Sequence, residues 1–188
     1  READGSPRFE RIAVGDHLIL GGDNMDFSIA GSVAGQLGKT PQAMGRNDWK
    51  ALCHQCRQIK ERILEGKSDS GRITIMGAGS GLISGTMTAR VDRSMVEAVV
   101  LDRFFPHSGI CEQTEQPTGD ASWGLPYEAD TAITGHLARF LNRHREAVQA
   151  AIGRDQTAPD LILFNGGALK ATILRSRIQE ALKQHFSL

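Results

Sequence analysis

The sequence predicts an α/β protein, and three observations support this fold class. Residues Leu161 to Phe164 form an unbroken apolar run that stops at Gly166-Gly167, as expected for a strand covered on both faces. The residues after the turn repeat with helical spacing and form one apolar stripe: Leu169, Ile173, Leu174, Ile178 and Leu182. The composition, with 21 glycines and 5% aromatic residues, favours an α/β protein with many small-residue turns over a β-sandwich.

Length and charge narrow the class of protein further. A chain of 188 residues suits one domain or two small subdomains. The 22 basic and 22 acidic side chains cancel, which argues against a nucleic-acid partner. No apolar stretch reaches the roughly 18 residues of a membrane span, and three cysteines do not make a disulfide framework. We therefore expect a soluble, cytoplasmic chain, and the polar start at Arg1 suggests a piece excised from a longer protein.

Three segments besides Leu161 to Phe164 carry strand patterns. Phe9 to Val14 alternates apolar and polar residues and is expected to open the fold. Arg72 to Met76 and Leu82 to Val91 also alternate, and the glycine-rich residues between them predict a hairpin turn. That turn lacks the Gly-Lys-Ser/Thr ending of a phosphate loop and precedes a strand, so a flexible turn is favoured.

Helical periodicity predicts four further helices. They run from Asp23 or Asn24 to Gly38, from Arg46 to Gly66, from Asp92 to Pro106, and from Asp130 to Ile152. The segment Pro106 to Tyr127 has no periodicity and predicts a long loop. The arginines and histidine between Arg139 and Arg145 could bind phosphate, but a solvated helix face is favoured.

The predicted helix from Arg46 to Gly66 has an apolar stripe and a charged face that carries Arg57, Lys60, Glu61 and Arg62. Cys53 and Cys56 lie on the stripe, three residues apart. A zinc site normally needs four ligands, and no second pair stands at metal-ligand spacing. Free cysteine is among the most buried residue types, so the sequence favours core packing for both thiols.

The two Gly-Gly pairs, Gly21-Gly22 and Gly166-Gly167, are candidate ligand contacts. Each precedes a predicted helix. Glycine has no Cβ, so backbone N–H groups at such a turn can approach a ligand closely, and a helix start favours an anion or a polar nucleotide edge. The alternative is a turn that only packs a strand against a helix, and the stretch around Gly166-Gly167 taken alone favours this alternative.

Four motifs occur in the same order as in a known family. They are Leu20-Gly-Gly-Asp-Asn-Met-Asp26, Cys56-Arg-Gln-Ile-Lys-Glu-Arg-Ile63, Thr88-Ala-Arg-Val-Asp-Arg93 and Leu163-Phe-Asn-Gly-Gly-Ala-Leu-Lys170. In this order they resemble the second lobe of DnaK-type heat-shock chaperones, in a divergent bacterial branch. The resemblance implies an actin-like ATPase, ribonuclease H-like fold. A base subdomain would comprise residues 1–38 and 130–188, and an inserted cap of helices with a small antiparallel sheet would comprise residues 39–129.

The resemblance also implies a nucleotide site. In the family the Gly-Gly turns flank the nucleotide, which assigns backbone contacts here to four glycines: Gly21, Gly22, Gly166 and Gly167. It places Lys60 on the ribose side, and Asp23 stands where the family has glutamate next to the first turn. The cofactor would be ATP or ADP, with Mg²⁺ in the intact protein.

Five positions of the implied site depart from the family. Arg57 replaces the glutamate that holds the ribose hydroxyls, and Glu61 replaces the arginine that stacks on adenine. Leu64, or Ile63 by a one-residue shift, replaces the serine that contacts adenine, while Ala168 and Lys170 replace a serine and an arginine. A carboxylate does not stack as a guanidinium plane does, so about 1 kcal/mol or more of adenine contact would be lost. We therefore expect weak or altered adenine recognition.

The phosphate side of the family's site has no counterpart in this sequence. The first phosphate loop, the catalytic lysine and the Asp-x-Gly-Gly-Gly-Thr loop are not found. Phosphoryl transfer depends on such donors and a metal converging on the phosphates, so we assign no catalytic residue or metal ligand and expect no hydrolysis by this chain alone.

Three functions remain as hypotheses. The first is the adenosine side of a chaperone's ATP cleft, whose closure would couple to a protein client or co-chaperone. The second is a degenerate actin-like scaffold for protein interactions that no longer binds nucleotide. The third, a sugar or acetate kinase of the same superfamily, would need substrate carboxylates and phosphate loops that the sequence lacks.

Overall fold

The computed structural model describes residues 9–76, 86–107, 130–155 and 157–187. Its helices are α1 (Gly22–Gln36), α2 (Arg46–Leu64), α3 (Arg93–Val96), α4 (Ile133–Arg143), α5 (Arg145–Ile152) and α6 (Thr172–Phe186). Strands β1 (Ser70–Met76) and β2 (Thr86–Asp92) form an antiparallel pair, and a 3₁₀ turn spans Pro41–Ala43. The chain is thus a mixed α/β protein, as predicted at that level. The turn at residues 77–81 and the segment 108–127 of the predicted loop lie outside the described residues.

Helices α1 and α2 pack against each other at the centre of the molecule. The residues of α1 that recur every four positions, Met25, Ile29 and Val33, are fully buried. Helix α1 begins at Gly22 with Gly21 as its N-cap, so the predicted start at Asp23 or Asn24 is slightly late. Asn24 does contribute to the cap, because its Oδ1 accepts a hydrogen bond from the Gly21 N–H at 2.8 Å.

The predicted hairpin is present as strands β1 and β2, while residues 82–85 of its second predicted strand lie outside the described residues. Its register pairs Ser70 with Asp92 and Met76 with Thr86. Alternate residues of both strands face the core, as a period of two requires: Ile73, Ile75, Ala89 and Val91. The opposite face of the hairpin is exposed.

Helix α2 closes one edge of strand β1. The Gln55 side chain bonds the Thr74 backbone twice, with Nε2 donating to the carbonyl and Oε1 accepting from the N–H, both at 3.2 Å. Ile59 packs so close that a Cβ at Gly71 would lie 2.5 Å from its Cγ1. Only glycine allows this approach between helix and strand, because such a contact is far inside van der Waals distance.

The helix predicted from Asp92 is present but contains a wider turn. Asp92 caps it as expected, with Oδ1 accepting the Met95 N–H at 3.0 Å. After α3 the backbone continues as a π-helix, Glu97–Asp102. This segment and the residues after it place Val100, Phe104 and Phe105 fully in the core. Hydrophobic periodicity does not distinguish α from π turns, so the sequence could not predict it.

The prediction of a single helix from Asp130 to Ile152 is wrong. Two helices, α4 and α5, meet at His144, whose φ of −104° and ψ of 8° lie outside the helical range. The helix also starts later, because Asp130 Oδ1 accepts the Ala132 N–H at 3.0 Å in a turn before α4. The apolar stripe continues across His144, which explains why the pattern suggested one helix.

The prediction of a buried strand at Leu161 to Phe164 is also wrong. The segment has no ladder partner within the described part of the chain, and Leu161 and Leu163 are 87% and 91% exposed. Ile162 and Phe164 are half-buried and pack on the core. The segment around Phe9, which is 92% exposed, likewise forms no strand ladder with any described residue. An apolar run reports strand propensity, but a strand also requires a neighbouring chain.

One continuous hydrophobic core joins α1, α2, the hairpin, α3 and α6. Cys53 and Cys56 belong to it, which confirms core packing for the two thiols. Among the helices of the described ranges, none has the length and apolarity needed to cross a membrane. The actin-like arrangement and the division into base and cap remain predictions.

Candidate functional site

The two Gly-Gly turns, distant in sequence, lie close together in the structure. A Cβ at Gly22 would lie 3.8 Å from the Ala168 Cβ and 3.9 Å from Lys60 Nζ. A cavity of about 160 Å³ opens where the two turns meet helix α2. We call it the cleft cavity. Its lining residues are Gly22, Asp26, Arg57, Lys60, Glu61, Leu64, Glu65, Gly167, Ala168, Lys170 and Ala171.

Eight of the eleven predicted site residues therefore share one cavity. The other three lie next to it. Gly21 lines a neighbouring cavity of about 440 Å³, Gly166 precedes Gly167, and Asp23 Oδ1 lies 3.7 Å from Arg57 Nη1. The structure brings these residues together, while their role in binding a nucleotide remains a prediction.

The second turn differs from the predicted one. Gly166 has a φ of +89°, a conformation that favours glycine, and the Lys170 N–H donates to the Gly167 carbonyl at 3.3 Å. Helix α6 starts only at Thr172. The free N–H groups of a helix start therefore do not lie at Gly166-Gly167. The prediction that a helix dipole at this turn favours an anion is wrong.

Helix α2 contributes four lining residues through its period. Arg57, Lys60, Glu61 and Leu64 follow one another at three, one and three residues, which places them along one face. The sequence prediction of a shared charged face is correct for Arg57 and Glu61, which are half exposed. It is wrong for Lys60, whose side chain is only 7% exposed.

Lys60 is buried because Asp26 of α1 neutralises it. Lys60 Nζ lies 2.6 Å from Asp26 Oδ1, and the Asp26 side chain is 6% exposed. The same ammonium donates to the Gly22 carbonyl at 3.3 Å. Burial raises the pKa of Asp26, and the attraction and hydrogen bond of Lys60 oppose this shift. The pair thus connects the start of α1 to α2 beneath the cleft cavity.

Arg57 and Glu61 form a second ion pair at the opening of the cavity. Arg57 Nε donates to Glu61 Oε1 at 3.2 Å, one helical turn away. This hydrogen bond raises the pKa of Arg57 above its already high ordinary value. Both residues are departures from the family pattern, and the structure shows that they pair with each other.

The lining of the cleft cavity is balanced in charge. Arg57, Lys60 and Lys170 are cations, and Asp26, Glu61 and Glu65 are anions. Apolar surface comes from Leu64, Ala168 and Ala171. A phosphate group would need a net positive cradle of donors, so this lining suits an uncharged polar molecule. Its volume lies below the roughly 300 Å³ of a typical complete ligand pocket, which points to a site for part of a ligand.

Sequence reasoning missed three lining residues, namely Asp26, Glu65 and Ala171. Asp26 carried a signal, because it ends the first motif and lies four residues after Gly22 on α1. An acidic residue amid the buried positions of an amphipathic helix indicates a buried partner of opposite charge. Glu65 and Ala171 carried none, since their position depends on how the chain leaves α2 and enters α6.

The cysteines of α2 and the arginines of α4, which the sequence also singled out, have structural roles. Burial raises the pKa values of Cys53 and Cys56 to about 12, so both thiols are protonated at neutral pH. On α4, Arg139 and Arg143 are 48% and 64% exposed and pair with carboxylates, Asp130 at 2.7 Å and Asp16 at 3.0 Å. No group of three or more potential metal ligands occurs among the residues that the structure describes.

Comparison with known proteins finds a distantly similar chaperone. No protein-family model matches the chain. The curated "Chaperone protein HscA homolog" of Burkholderia lata is 25% identical to it over 169 residues. The match covers 88% of this chain and 26% of that protein, so the chain spans about a quarter of the length of this relative. The similarity supports a distant relationship to the chaperone family, in agreement with the resemblance in the four motifs.

Proposed function

We propose that this chain is part of the ATP-binding domain of a DnaK-like molecular chaperone and forms the adenosine side of its nucleotide cleft. The observation that carries the proposal is the meeting of two Gly-Gly turns, separated by most of the chain, around one cavity on helix α2. The distant similarity to a chaperone supports it. In this proposal the fold is actin-like and the protein is cytoplasmic. Nucleotide binding in the intact protein is coupled to a protein client or co-chaperone.

The properties of the cleft cavity fit the nucleoside better than the phosphates. Two donors of the Lys60 ammonium are engaged by Asp26 and the Gly22 carbonyl, which leaves a third N–H for a hydroxyl or ring acceptor. Backbone at Gly22 and Gly167 can approach a ligand closely because neither residue has a Cβ. The ribose and base of ATP or ADP would therefore face α2.

The described residues do not fit Mg²⁺. Three carboxylates and three cations line the cavity together, and the described ranges contain no cluster of potential metal ligands. Mg²⁺ takes oxygen ligands in an octahedral shell and is usually held by one or two carboxylates together with substrate phosphates. In the proposed function, phosphate and metal contacts come from other parts of the chaperone, and no hydrolytic step is assigned to this chain.

The test is a titration of adenosine and ADP into the ¹⁵N-labelled chain, followed by NMR because a one-sided site binds weakly. We expect saturable shifts at the amides of Gly22, Gly167 and Ala168. Gly167→Val should abolish them: a Cβ there meets no atom within 4 Å, so the fold accommodates valine while the added methyls occupy ligand space. Gly35→Val, in open space on α1, is the matched control and should bind normally.

Two results would contradict the proposal. The folded chain could show no saturable shift with either ligand, or Gly167→Val could bind as well as the unsubstituted chain. The first result would favour the scaffold for protein interactions, and the second would place the ligand elsewhere on the molecule.

A further inference from the structure

The guanidinium of Arg57 is held by its edge. Nε donates to Glu61 Oε1 at 3.2 Å, and Nη1 lies 3.7 Å from Asp23 Oδ1. All five N–H groups of a guanidinium lie in its plane. The hydrogen bond to Glu61 therefore uses the edge of the guanidinium, orients its plane and covers neither face, while Asp23 adds attraction at more than hydrogen-bond distance.

Arg57 also stands where a planar ligand would lie. Its side chain lines the cleft cavity and remains 54% exposed. No aromatic ring occurs among the described residues that line this cavity. The other two cations are lysines with compact ammonium groups, and Lys60 is buried against Asp26. Arg57 thus supplies the planar cation of the lining, and a guanidinium stacks on an aromatic face where an ammonium does not.

We propose that Arg57 is the specificity-determining residue on which the planar base of a bound nucleoside stacks, with Glu61 holding the guanidinium at its edge and Asp23 attracting it. The inference rests on the proposed function, since it needs a nucleoside in the cleft cavity. It assigns stacking to a residue one helical turn before Glu61, whose carboxylate cannot stack and instead positions Arg57.

The charge pattern of α2 supports this assignment. Glu61 and Arg57 form an i, i+4 pair, which is the spacing at which side chains on a helix meet. The Leu64 side chain lines the same face one turn further on and offers apolar surface to the other side of a ring. The base would therefore lie over α2 between a planar cation and an aliphatic side chain.

The experiment compares adenosine binding by the chain and by variants at position 57. Arg57→Lys keeps the charge and removes the plane, so the dissociation constant should rise about two- to fivefold. Arg57→Gln, which removes the charge, should weaken binding at least as much. Arg62→Lys is the matched control: it lies on the same helix but does not line the cleft cavity, and should leave affinity unchanged. Circular dichroism verifies that all variants fold.

A second measurement reports stacking directly. The ring current of a stacked base shifts protons above its face upfield, so the Arg57 δ-methylene signals should move upfield on saturation with adenosine. Saturable shifts at Gly22 and Gly167 with no upfield shift and with unchanged affinity in Arg57→Lys would overturn the role of Arg57 and leave the proposed function intact. Weaker binding by Arg57→Gln alone would reduce that role to charge. No binding by the unsubstituted chain would refute both proposals.

Discussion

The inner and the outer ion pair of helix α2 use the same chemistry in opposite ways. Lys60 faces inward and pairs with Asp26 at 2.6 Å, with both side chains less than a tenth exposed. Arg57 lies one turn earlier and pairs with Glu61 at 3.2 Å, with both side chains more than half exposed. Two ion pairs on one helix therefore differ mainly in how much water surrounds them.

This difference determines what each pair does. A buried charge loses its hydration and depends on its partner, so removal of one partner leaves an uncompensated charge in a medium of low polarity. An exposed pair remains hydrated, is screened by salt and contributes little net stability. The inner pair thus stabilises the contact between α1 and α2, whereas the outer pair contributes little to stability and its side chains are accessible to a ligand.

Removal of the inner anion should have the largest effect on stability. We expect Asp26→Ala to lower the free energy of unfolding by about 3–5 kcal/mol, because Lys60 would be left buried without its counterion. Urea denaturation followed by circular dichroism measures this change. Asp23→Ala removes an exposed carboxylate three residues earlier and should change stability by less than about 0.5 kcal/mol. Similar losses in the two variants would contradict the comparison.

The thiols on the buried side of α2 give the next largest effect, and it depends on pH. Burial raises the pKa values of Cys53 and Cys56 from 9.0 to about 12. Above pH 9 the unfolded chain loses these protons and the folded chain keeps them, so stability falls as pH rises toward 12. We expect a loss of about 1–2 kcal/mol for each thiol between about pH 8 and about pH 10.5.

The measurement uses urea denaturation at both pH values in a Cys111→Ser background. Cys56→Ala should lose less stability between the two pH values than the protein that keeps Cys56, and the difference between the two losses isolates the contribution of the Cys56 thiol. An unchanged loss in Cys56→Ala would show that Cys56 is not buried as a protonated thiol.

The sequence predicted the elements that depend on local pattern. Helix α2, the hairpin and the Asp92 cap follow from amphipathic period, alternation and cap chemistry, and they are present. The buried strand at Leu161 to Phe164 was wrong because exposure depends on which chain lies beside the segment. The break at His144 was missed because the apolar stripe of α4 runs on through it.

The candidate site was also predictable only in part, because some of its features depend on tertiary packing. The resemblance of the four motifs to the chaperone family implied Gly22, Lys60 and Gly167, and the structure brings them to one cavity. The burial of Lys60 was not predictable from α2 alone, since the side chain falls beside Arg57 and Glu61 on a face that looks charged throughout. Its environment is set by Asp26 on another helix, and only tertiary packing reveals that contact.

Removal of the outer anion should have the smallest effect on stability. We expect Glu61→Ala to lower the free energy of unfolding by only about 0.2–0.5 kcal/mol, as for other exposed i, i+4 pairs, and about 1 M salt should abolish this loss through screening. The loss in Asp26→Ala should persist at the same salt concentration. Denaturation in low and high salt measures both. Because Glu61 also orients Arg57, the same variant should bind adenosine less tightly although it is nearly as stable as the unsubstituted chain. If Glu61→Ala lost several kcal/mol of stability but kept its affinity for adenosine, the roles assigned to the inner and the outer ion pair would be reversed.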